Sequence, residues 1–368
     1  MNKLKEYLST IVNISIAVLM CAITIGCEKS EEILPEEIVE NNIFKSIWLC
    51  PMPMDPARNR AIVTDYVQVI TQPEDYYAEV FEHTKVLKLY IEALNRYTAD
   101  DIQDLVDFTN AYDLEIAVEV GGIRMKVGQV ANTQIGVASA EFEFRSLNKL
   151  ITAGGNVNYI STDHSMAPYL TGRKHDLDDL GHEGIMGQMM EYFKYMQVQI
   201  PGLKVGTIES LGFFWVLSNR QYQATDKNLN RVDFESFMDM YTSVAEQHGI
   251  VLDHFHTDFG MHDVQYDQGY GRILAVENYL KSKNVNSGFI GTNAFHEGRQ
   301  TPDSDPQAAS ISAAQRTIKY FEDYIKAGGA ADDLILQRWQ PYPTQLGSDI
   351  EPYTQMGIFN SIIESDFF

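Results

Sequence analysis

Cysteine is scarce in this sequence, which has only Cys21, Cys27 and Cys50 among its 368 residues. The first two lie in or directly after an apolar N-terminal segment, so only Cys50 remains for the folded part of the chain. A single cysteine forms neither an internal disulfide nor a zinc site built from thiolates. Both kinds of crosslink are therefore excluded.

Basic residues are also few relative to acidic ones. Lys and Arg number 28 against 51 Asp and Glu, which gives a formal net charge of −23. Such a chain repels the phosphate backbone of nucleic acids and the surface of anionic membranes. Nucleic acid is therefore not expected as a partner.

Several motifs of common enzyme classes are missing. No G-x-G-x-x-G turn or P-loop is present, so no nucleotide cofactor is predicted. No G-x-S-x-G is present either, and the contiguous Asp163-His164-Ser165 rarely allows the geometry of a catalytic triad. The sequence therefore points away from dehydrogenases, nucleotidases and serine hydrolases.

The first residues are typical of an export signal. Lys3 and Lys5 precede an apolar run over residues 11–25. This run is too short for a typical membrane span and is interrupted by polar residues. The following Gly26-Cys27 resembles the end of a bacterial lipobox. This resemblance implies removal of residues 1–26 and a lipid on Cys27, with ordinary secretion as the alternative.

Six glutamates are concentrated in the next segment, residues 27–45. A charged stretch near a terminus is typical of a solvated tether. It also resembles the acidic export signals of surface lipoproteins in Bacteroidota. That resemblance implies a chain anchored to the outer membrane or cell surface of a Gram-negative bacterium, with the lipid as its only contact with the membrane.

Strand-like apolar runs alternate with helix-period segments over the rest of the chain. Strands are predicted over residues 46–52, 85–93, 114–120, 156–163, 203–210, 249–255, 287–293 and 333–339. Helices are predicted near residues 57–82, 98–112, 132–153, 177–199, 232–248, 269–284, 306–328 and 352–364. This series predicts a single-domain (β/α)8 TIM barrel over residues 46–368. The alternative, a doubly wound open sheet, lacks its glycine-rich turn after the first strand.

The side chains of a strand alternate between the two faces of a barrel wall, and the apolar set is expected to face the helices. This rule turns the polar sets of five strands inward. Their last members are Glu92, Glu119, Asp163, Glu209 and Trp339. Since the carboxyl ends of barrel strands form the active site, these residues are predicted to converge on one mouth.

A mouth lined with carboxylates and aromatic rings suits a sugar. In glycoside hydrolysis one carboxyl group protonates the leaving oxygen, and the other acts as nucleophile or base. We predict Asp163 as the nucleophile and Glu209 as the acid/base, since adjacent strand ends place carboxyl groups roughly 5–6 Å apart, as in retaining enzymes. An alternative pairs Asp163 with Asp253.

This placement resembles the α-amylase type of hydrolase barrel, which has an Asp nucleophile on strand four and a Glu acid on strand five. Two features depart from that type. Ser161 stands where an Arg is usual, and the seventh strand leads into TNAFHEG rather than ending in Asn-His-Asp. The resemblance implies hydrolysis of glycosidic bonds in a polysaccharide or oligosaccharide.

Substrate contacts are predicted from the remaining polar and aromatic residues of the mouth and its rim. They are Tyr90, Glu92, Glu119, Tyr159, Asp253, His256, Asp258, Asn293, Gln337 and Trp339.

The stretch LDHFHTDFG, residues 252–260, has the histidine density of a metal site. Alternation turns Asp253 and Phe255 inward and His254 toward the helices, and it leaves His256 and Asp258 on the rim. A His-x-His strand binds metals in some hydrolase barrels, but the other histidines here are scattered through loops. No metal site is therefore predicted.

Two other classes of function stay open. The first is a surface lipoprotein that binds glycans on the same barrel without catalysis. The second is a polysaccharide lyase or a metal-dependent hydrolase.

Overall fold

The structure is a computed structural model, and it describes residues 43–50, 78–215, 232–259, 269–291, 306–337 and 346–365. Several predicted features lie outside these ranges. They are the export signal, Cys27, most of the acidic segment, Asn293 and Trp339.

Eight strands form one closed, parallel barrel. They are β1 (Ser46–Cys50), β2 (Val86–Tyr90), β3 (Glu115–Val120), β4 (Val157–Asp163), β5 (Lys204–Ser210), β6 (Leu252–Asp258), β7 (Asn286–Gly291) and β8 (Asp333–Gln337). Each strand pairs with the next along the chain, and β8 closes the barrel on β1. The prediction of a (β/α)8 barrel is therefore confirmed.

Helices connect the strands. They are α1 (Ala78–His83), α2 (Ile91–Leu94), α3 (Ala99–Ala111), α4 (Ile135–Thr152), α5 (Ala167–Leu170), α6 (Gly181–Gln199), α7 (Phe234–Gln247), α8 (Gly269–Ser282), α9 (Pro306–Lys326) and α10 (Gln355–Ile363). Two predicted helix starts are confirmed, because Thr98 forms a capping box with Asp101 and Pro306 opens α9. None of the helices in the described part of the chain combines the length and the apolar character that a membrane span requires.

The apolar residues divide into two buried clusters, as strand alternation requires. The larger cluster lies between strands and helices and includes Leu87, Leu89 and Val118. The smaller cluster fills the inside of the barrel. Its members are Trp48, Val86, Ala117, Tyr159, Ile208, Ile290 and Ile335. The predicted orientation of β2, β3, β4 and β8 is therefore confirmed.

Strand β6 differs from its prediction in both position and orientation. It runs from Leu252 to Asp258 rather than over residues 249–255. Its pairing with β5 shifts by one residue, from Val205–Leu252 to Gly206–His254, so Asp253 is an extra residue of the bulge type. Beyond Asp253 the alternation is reversed.

This reversal turns the two histidines of β6 into the barrel. The ring of His254 lies 5.5 Å from that of Trp48 inside the barrel, and the ring of His256 lies 4.7 Å from it. Phe255 instead packs outside, 5.4 Å from the ring of Phe234 on α7. The predicted orientations of His254 and Phe255 were therefore wrong, because the sequence pattern contains no sign of the bulge.

Strand β5 is also turned the other way. Asp163 pairs with Ile208 and Ser161 with Gly206, and neighbours in a sheet face the same side. Ile208 belongs to the cluster inside the barrel, so Glu209 faces outward. The prediction that Glu209 points into the mouth was wrong, because it assumed that the apolar residues of this strand all face the helices.

Two glycines make room for the histidines inside the barrel. A Cβ atom on Gly206 would lie 2.3 Å from atoms of His254, and one on Gly288 would lie 2.2 Å from His256 Cδ2. Both rings are fully buried against these glycines. Each histidine ring therefore fills the space that a glycine on the neighbouring strand leaves.

Replacing Gly206 by Ala should destabilise the protein, because the new methyl group overlaps both the ring and the backbone carbonyl of His254. Overpacking of this kind costs about 1–3 kcal/mol. Urea unfolding measures the loss. Gly271→Ala is the control, since Gly271 is an exposed position of α8 with open space around it, and Ala there should stabilise the protein by about 0.5–1 kcal/mol. Equal stability of G206A and the wild type would contradict the described packing.

Candidate active site at the carboxyl ends of the strands

Polar side chains from four alternate strands meet at the carboxyl end of the barrel, which we call the mouth. They are Tyr90, Asp163, Asp258 and Gln337, which face inward and are the last residues of β2, β4, β6 and β8. Inward residues of alternate strands form one layer in such barrels. Cys50 and Glu119, from β1 and β3, belong to the layer below. The mouth thus receives side chains from most of the barrel.

Lys88 lies beneath the mouth and links three strands. Its Nζ is 2.7 Å from Glu119 Oε2 and donates a 2.7 Å hydrogen bond to Gln337 Oε1. The Lys88 side chain is fully buried, so its charge depends on these partners. The positions of Glu119 and Gln337 are fixed by this contact.

Glu119 has a raised pKa for a carboxylic acid. Burial raises its pKa, Lys88 opposes the rise, and the charges of Asp163 and Glu92 add to it. The resulting pKa is about 7. Burial acts to lower the pKa of Lys88, but Glu119 together with Cys50 and Asp163 outweighs burial, so the lysine pKa is raised and Lys88 keeps its proton. Glu119 is therefore able to hold or release a proton near neutral pH.

Asp163 is held by two cationic side chains. Arg124 Nη2 donates a 3.1 Å hydrogen bond to Asp163 Oδ2, and His164 Nδ1 lies 2.8 Å from Oδ1. Burial acts to raise the pKa of Asp163, but His164 and Arg124 outweigh it, so the pKa is lowered. Asp163 is therefore ionised at neutral pH.

His164 lies between two carboxylates. Its Nδ1 faces Asp163, and its Nε2 is 3.6 Å from Asp258 Oδ2. Burial acts to lower its pKa, but Asp163 and Asp258 raise it to about 10. Its backbone has a φ of +43°, which is uncommon for a residue other than glycine, while its N–H still donates to Ile208 O as in a strand. Unusual backbone of this kind is concentrated at functional sites.

The turn that carries Arg124 is fixed from behind by a buried carboxylate. Gly121 N and Gly122 N donate to the two oxygens of Glu143 at 2.7 and 3.1 Å. Tyr192 Oη donates a further hydrogen bond of 2.7 Å to the same side chain. Glu143 on α4 thus positions the segment between β3 and the 3-10 turn at Gly122–Met125, which holds Arg124.

Glu209, the predicted acid/base, lies on the outer side of β5 and is fully buried. Met166 N donates to its Oε1 at 3.3 Å. Burial raises its pKa to about 7, opposed by His164 and by the N–H groups of Met166 and Ala167. Glu209 is therefore close to the segment that follows Asp163, but its carboxyl group is not among those that line the mouth.

Three predicted substrate contacts lie in the barrel interior or near its amino-terminal end rather than at the mouth. Tyr159 donates a 2.9 Å hydrogen bond to Glu115 Oε2 at the amino-terminal end of β3. Asp253 Oδ2, at the start of β6, is 3.2 Å from His254 Nδ1, and His256 Nε2 is 3.4 Å from Asp333 Oδ2. Because β6 starts later than predicted, Asp253 lies near its amino-terminal end and His256 lies within the strand. Tyr159 faces inward as predicted but belongs to a layer near the opposite end.

Two further predictions lie at the edge of the mouth. Glu92 follows the end of β2 and belongs to the short helix α2, where it is exposed, so it is not an inward strand residue. Tyr90 is half-buried at the last position of β2. Asn293 and Trp339 lie outside the described residues.

Arg124, His164 and Lys88 have site roles that the sequence pattern did not predict. Arg124 and His164 come after the ends of β3 and β4, where alternation no longer indicates direction. The position of His164 directly after Asp163 was a usable signal, because barrel sites are built at strand ends and the loops that follow. Lys88 was predicted to face inward, but only the structure shows which carboxylate it meets.

Within the described ranges, no group of three or more His, Cys, Asp and Glu side chains is arranged to hold a metal ion. The two inward histidines of β6 are each paired with a separate carboxylate.

The pKa of His164 leads to a pH-dependent stability. Between its unfolded value near 6.5 and its folded value of about 10, the folded state binds a proton that the unfolded state has lost. The stabilisation is therefore complete below about pH 6.5 and lost as the pH rises through about 10. His164→Asn removes the charge and tolerates positive φ. The difference in unfolding free energy between wild type and H164N should shrink from pH 6 to about pH 10.5; a constant difference would contradict the assignment.

Comparisons with known proteins give similar barrels but no family. No protein-family model matches the sequence, and no curated protein matches it. A GH18 chitinase from Pseudoalteromonas aurantia is 10% identical, with a TM-score of 0.47, over 87% of this chain and 99% of the chitinase. The catalytic domain of a beta-amylase from Paenibacillus polymyxa is 8% identical, with a TM-score of 0.46, over 88% and 99%. A truncated 3-deoxy-D-arabino-heptulosonate 7-phosphate synthase from Thermotoga maritima is 10% identical, with a TM-score of 0.42, over 88% and 85%. Hydrolases and a synthase are thus matched to a similar extent, and these similarities assign no activity.

Proposed function

We propose that the protein is a glycoside hydrolase whose catalytic carboxyl groups are Asp163 and Glu119. The supporting observation is that the two groups lie on adjacent strands, Asp163 at the mouth and Glu119 in the layer below, and that their surroundings drive their pKa values apart. His164 and Arg124 outweigh burial and lower the pKa of Asp163, whereas burial raises that of Glu119 to about 7. Opposed pKa values of this kind separate the base from the acid in two-carboxylate enzymes.

In this proposal Glu119 donates its proton to the glycosidic oxygen while Asp163 attacks the anomeric carbon or activates a water molecule. Glu119 pairs with Ser161, so Asp163 is its diagonal neighbour two residues further along the adjacent strand. The ammonium group of Lys88 then stabilises the carboxylate that forms on Glu119, since its Nζ is already 2.7 Å from Oε2. Tyr90 and Gln337 would contact sugar hydroxyl groups.

The proposed location follows from the N-terminal segment. Cys27 would carry a lipid, and the acidic residues after it would act as a tether on the surface of a Gram-negative bacterium. A barrel in that position would meet extracellular polysaccharides or their fragments.

A second candidate is a glycan-binding protein without catalysis. It is favoured by the engagement of both carboxyl groups, because Glu119 is paired with Lys88, and Asp163 with Arg124 and His164. Fully compensated charges are also expected in a purely structural network.

Asp163→Asn should lower the release of reducing ends about 100-fold or more on any glycan that the wild type cleaves, because the amide supplies neither a nucleophile nor a base. A reducing-end assay measures the loss, and a binding assay on the same glycan separates catalysis from affinity. Glu115→Gln is the control, since this carboxyl group lies at the opposite end of the barrel, where it accepts from Tyr159. Binding by the wild type with no cleavage of any bound glycan would favour the second candidate.

The pH profile identifies the acid. Glu119 must be protonated to act, so kcat/KM should fall as the pH rises through about 7, and Asp163 must be ionised, so activity should fall only at a pH below the ordinary Asp range. Glu119→Gln should abolish the limb near pH 7 together with most of the activity. Glu209→Gln should keep that limb. Loss of the limb in E209Q, whose carboxyl group also has a pKa of about 7, would instead identify Glu209 as the acid.

A further inference from the structure

Two cations of the mouth, Arg124 and His164, are more exposed than the carboxylates beside them. The side chains of Arg124 and His164 are 31% and 18% exposed, whereas those of Asp163, Asp258 and Glu119 are only 11–13% exposed. Among the described residues, a molecule that approaches Asp163 and Asp258 therefore contacts Arg124 and His164 first. The carboxylates lie behind, each already next to a cation.

A further arginine extends this positive face outward. The guanidinium of Arg173 lies over the ring of Phe213, with Cζ 5.5 Å from its centroid. The same ring lies 5.9 Å from that of His164, edge to face. Arg173 is exposed, and Phe213 is half-buried in the turn directly after β5. Asp163 thus connects Arg124 to His164, and the Phe213 ring connects His164 to Arg173. We call these three cations the basic rim.

The basic rim carries exposed positive charge in a chain that is acidic as a whole. The full sequence has 51 acidic against 28 basic residues. Among the described residues named at the mouth, its edge and the rim, four carboxylates (Glu92, Glu119, Asp163 and Asp258) are balanced by four cations (Lys88, Arg124, His164 and Arg173). An acidic protein repels anions over most of its surface, so an anion approaches most easily where the charges balance and exposed guanidinium groups lie outermost.

We propose that the substrate bound at the mouth is an acidic carbohydrate, in which a carboxylate or sulfate group on the sugar contacts the basic rim. This inference rests on the proposed function and names the substrate class of the same site. Arginine presents up to five N–H donors in a planar fork that matches carboxylate and sulfate oxygens. Only Nη2 of Arg124 is used by Asp163, and the guanidinium of Arg173 is open to solvent above Phe213.

The test compares acidic glycans with neutralised forms of the same glycans. One arm sets polyuronate oligosaccharides beside their methyl esters, and the other sets sulfated oligosaccharides beside their desulfated forms. Calorimetric binding to the full mature chain should be found for charged members of one arm and should weaken with added salt. The arm that binds tells whether the anion is a carboxylate or a sulfate. Binding of the neutral forms with equal affinity, or of no charged member, would overturn the inference.

Arg173→Ala should weaken binding of the charged glycan about threefold to tenfold, because it removes a charge-assisted hydrogen bond from the rim. The matched control is Lys174→Ala. Lys174 is the adjacent exposed cation, but its Nζ lies over the ring of Tyr169, 5.5 Å from the centroid. R173A and K174A should unfold at the same temperature, and K174A should bind as the wild type does. Unchanged affinity in R173A, or an equal loss in K174A, would contradict a specific role of the rim.

The two proposals fail in different ways. If an acidic glycan binds in an Arg173-dependent manner but is never cleaved, the hydrolase is wrong and the acidic ligand stands. If only neutral glycans are cleaved, with kcat/KM insensitive to salt and to R173A, the hydrolase stands and the acidic substrate is wrong.

Discussion

A closed barrel of eight strands excludes water from its interior, so each charge that faces inward requires a partner. The contact of Lys88 with Glu119 meets this requirement and, through Gln337, connects β2, β3 and β8 directly under the mouth. It supports a carboxyl group whose pKa lies near 7. The arrangement of Asp163 above it follows the same rule, with Arg124 and His164 as partners. The chemistry proposed for the mouth depends on this compensation.

The sequence alone was sufficient for the barrel, because the alternation of apolar strands and amphipathic helices reflects burial against the helices. It also located Asp163 correctly, since β4 alternates regularly to its last residue. It failed at β5 and β6 for physical reasons. On β6, the extra residue Asp253 reverses the alternation of inward and outward side chains. On β5, the apolar Ile208 faces the barrel interior, where a polar residue was predicted. Side chains in loops, such as Arg124, follow no period and were found only in the structure.

The displacement of Glu209 from the mouth changes what its carboxyl group is able to do. It accepts a hydrogen bond from Met166 N, in the segment that follows β4, and so fixes this segment from the outer side of the barrel wall. Glu143 does the same for the connection after β3, through Gly121 and Gly122. Two buried carboxylates behind the wall therefore fix the backbone from which Arg124 and His164 reach the mouth. Both retain acidities near neutral pH because of burial.

The glycines opposite the two interior histidines have a consequence for how such a sequence changes over time. Gly206 leaves the space that His254 occupies, and Gly288 leaves that of His256, so neither member of a pair is replaced alone without a gap or an overlap. Substitutions at these positions should therefore occur together, a larger residue on one strand with a smaller one on the next. Paired size changes at positions 206 with 254, and 288 with 256, would identify distant relatives that share this interior even where overall identity has disappeared.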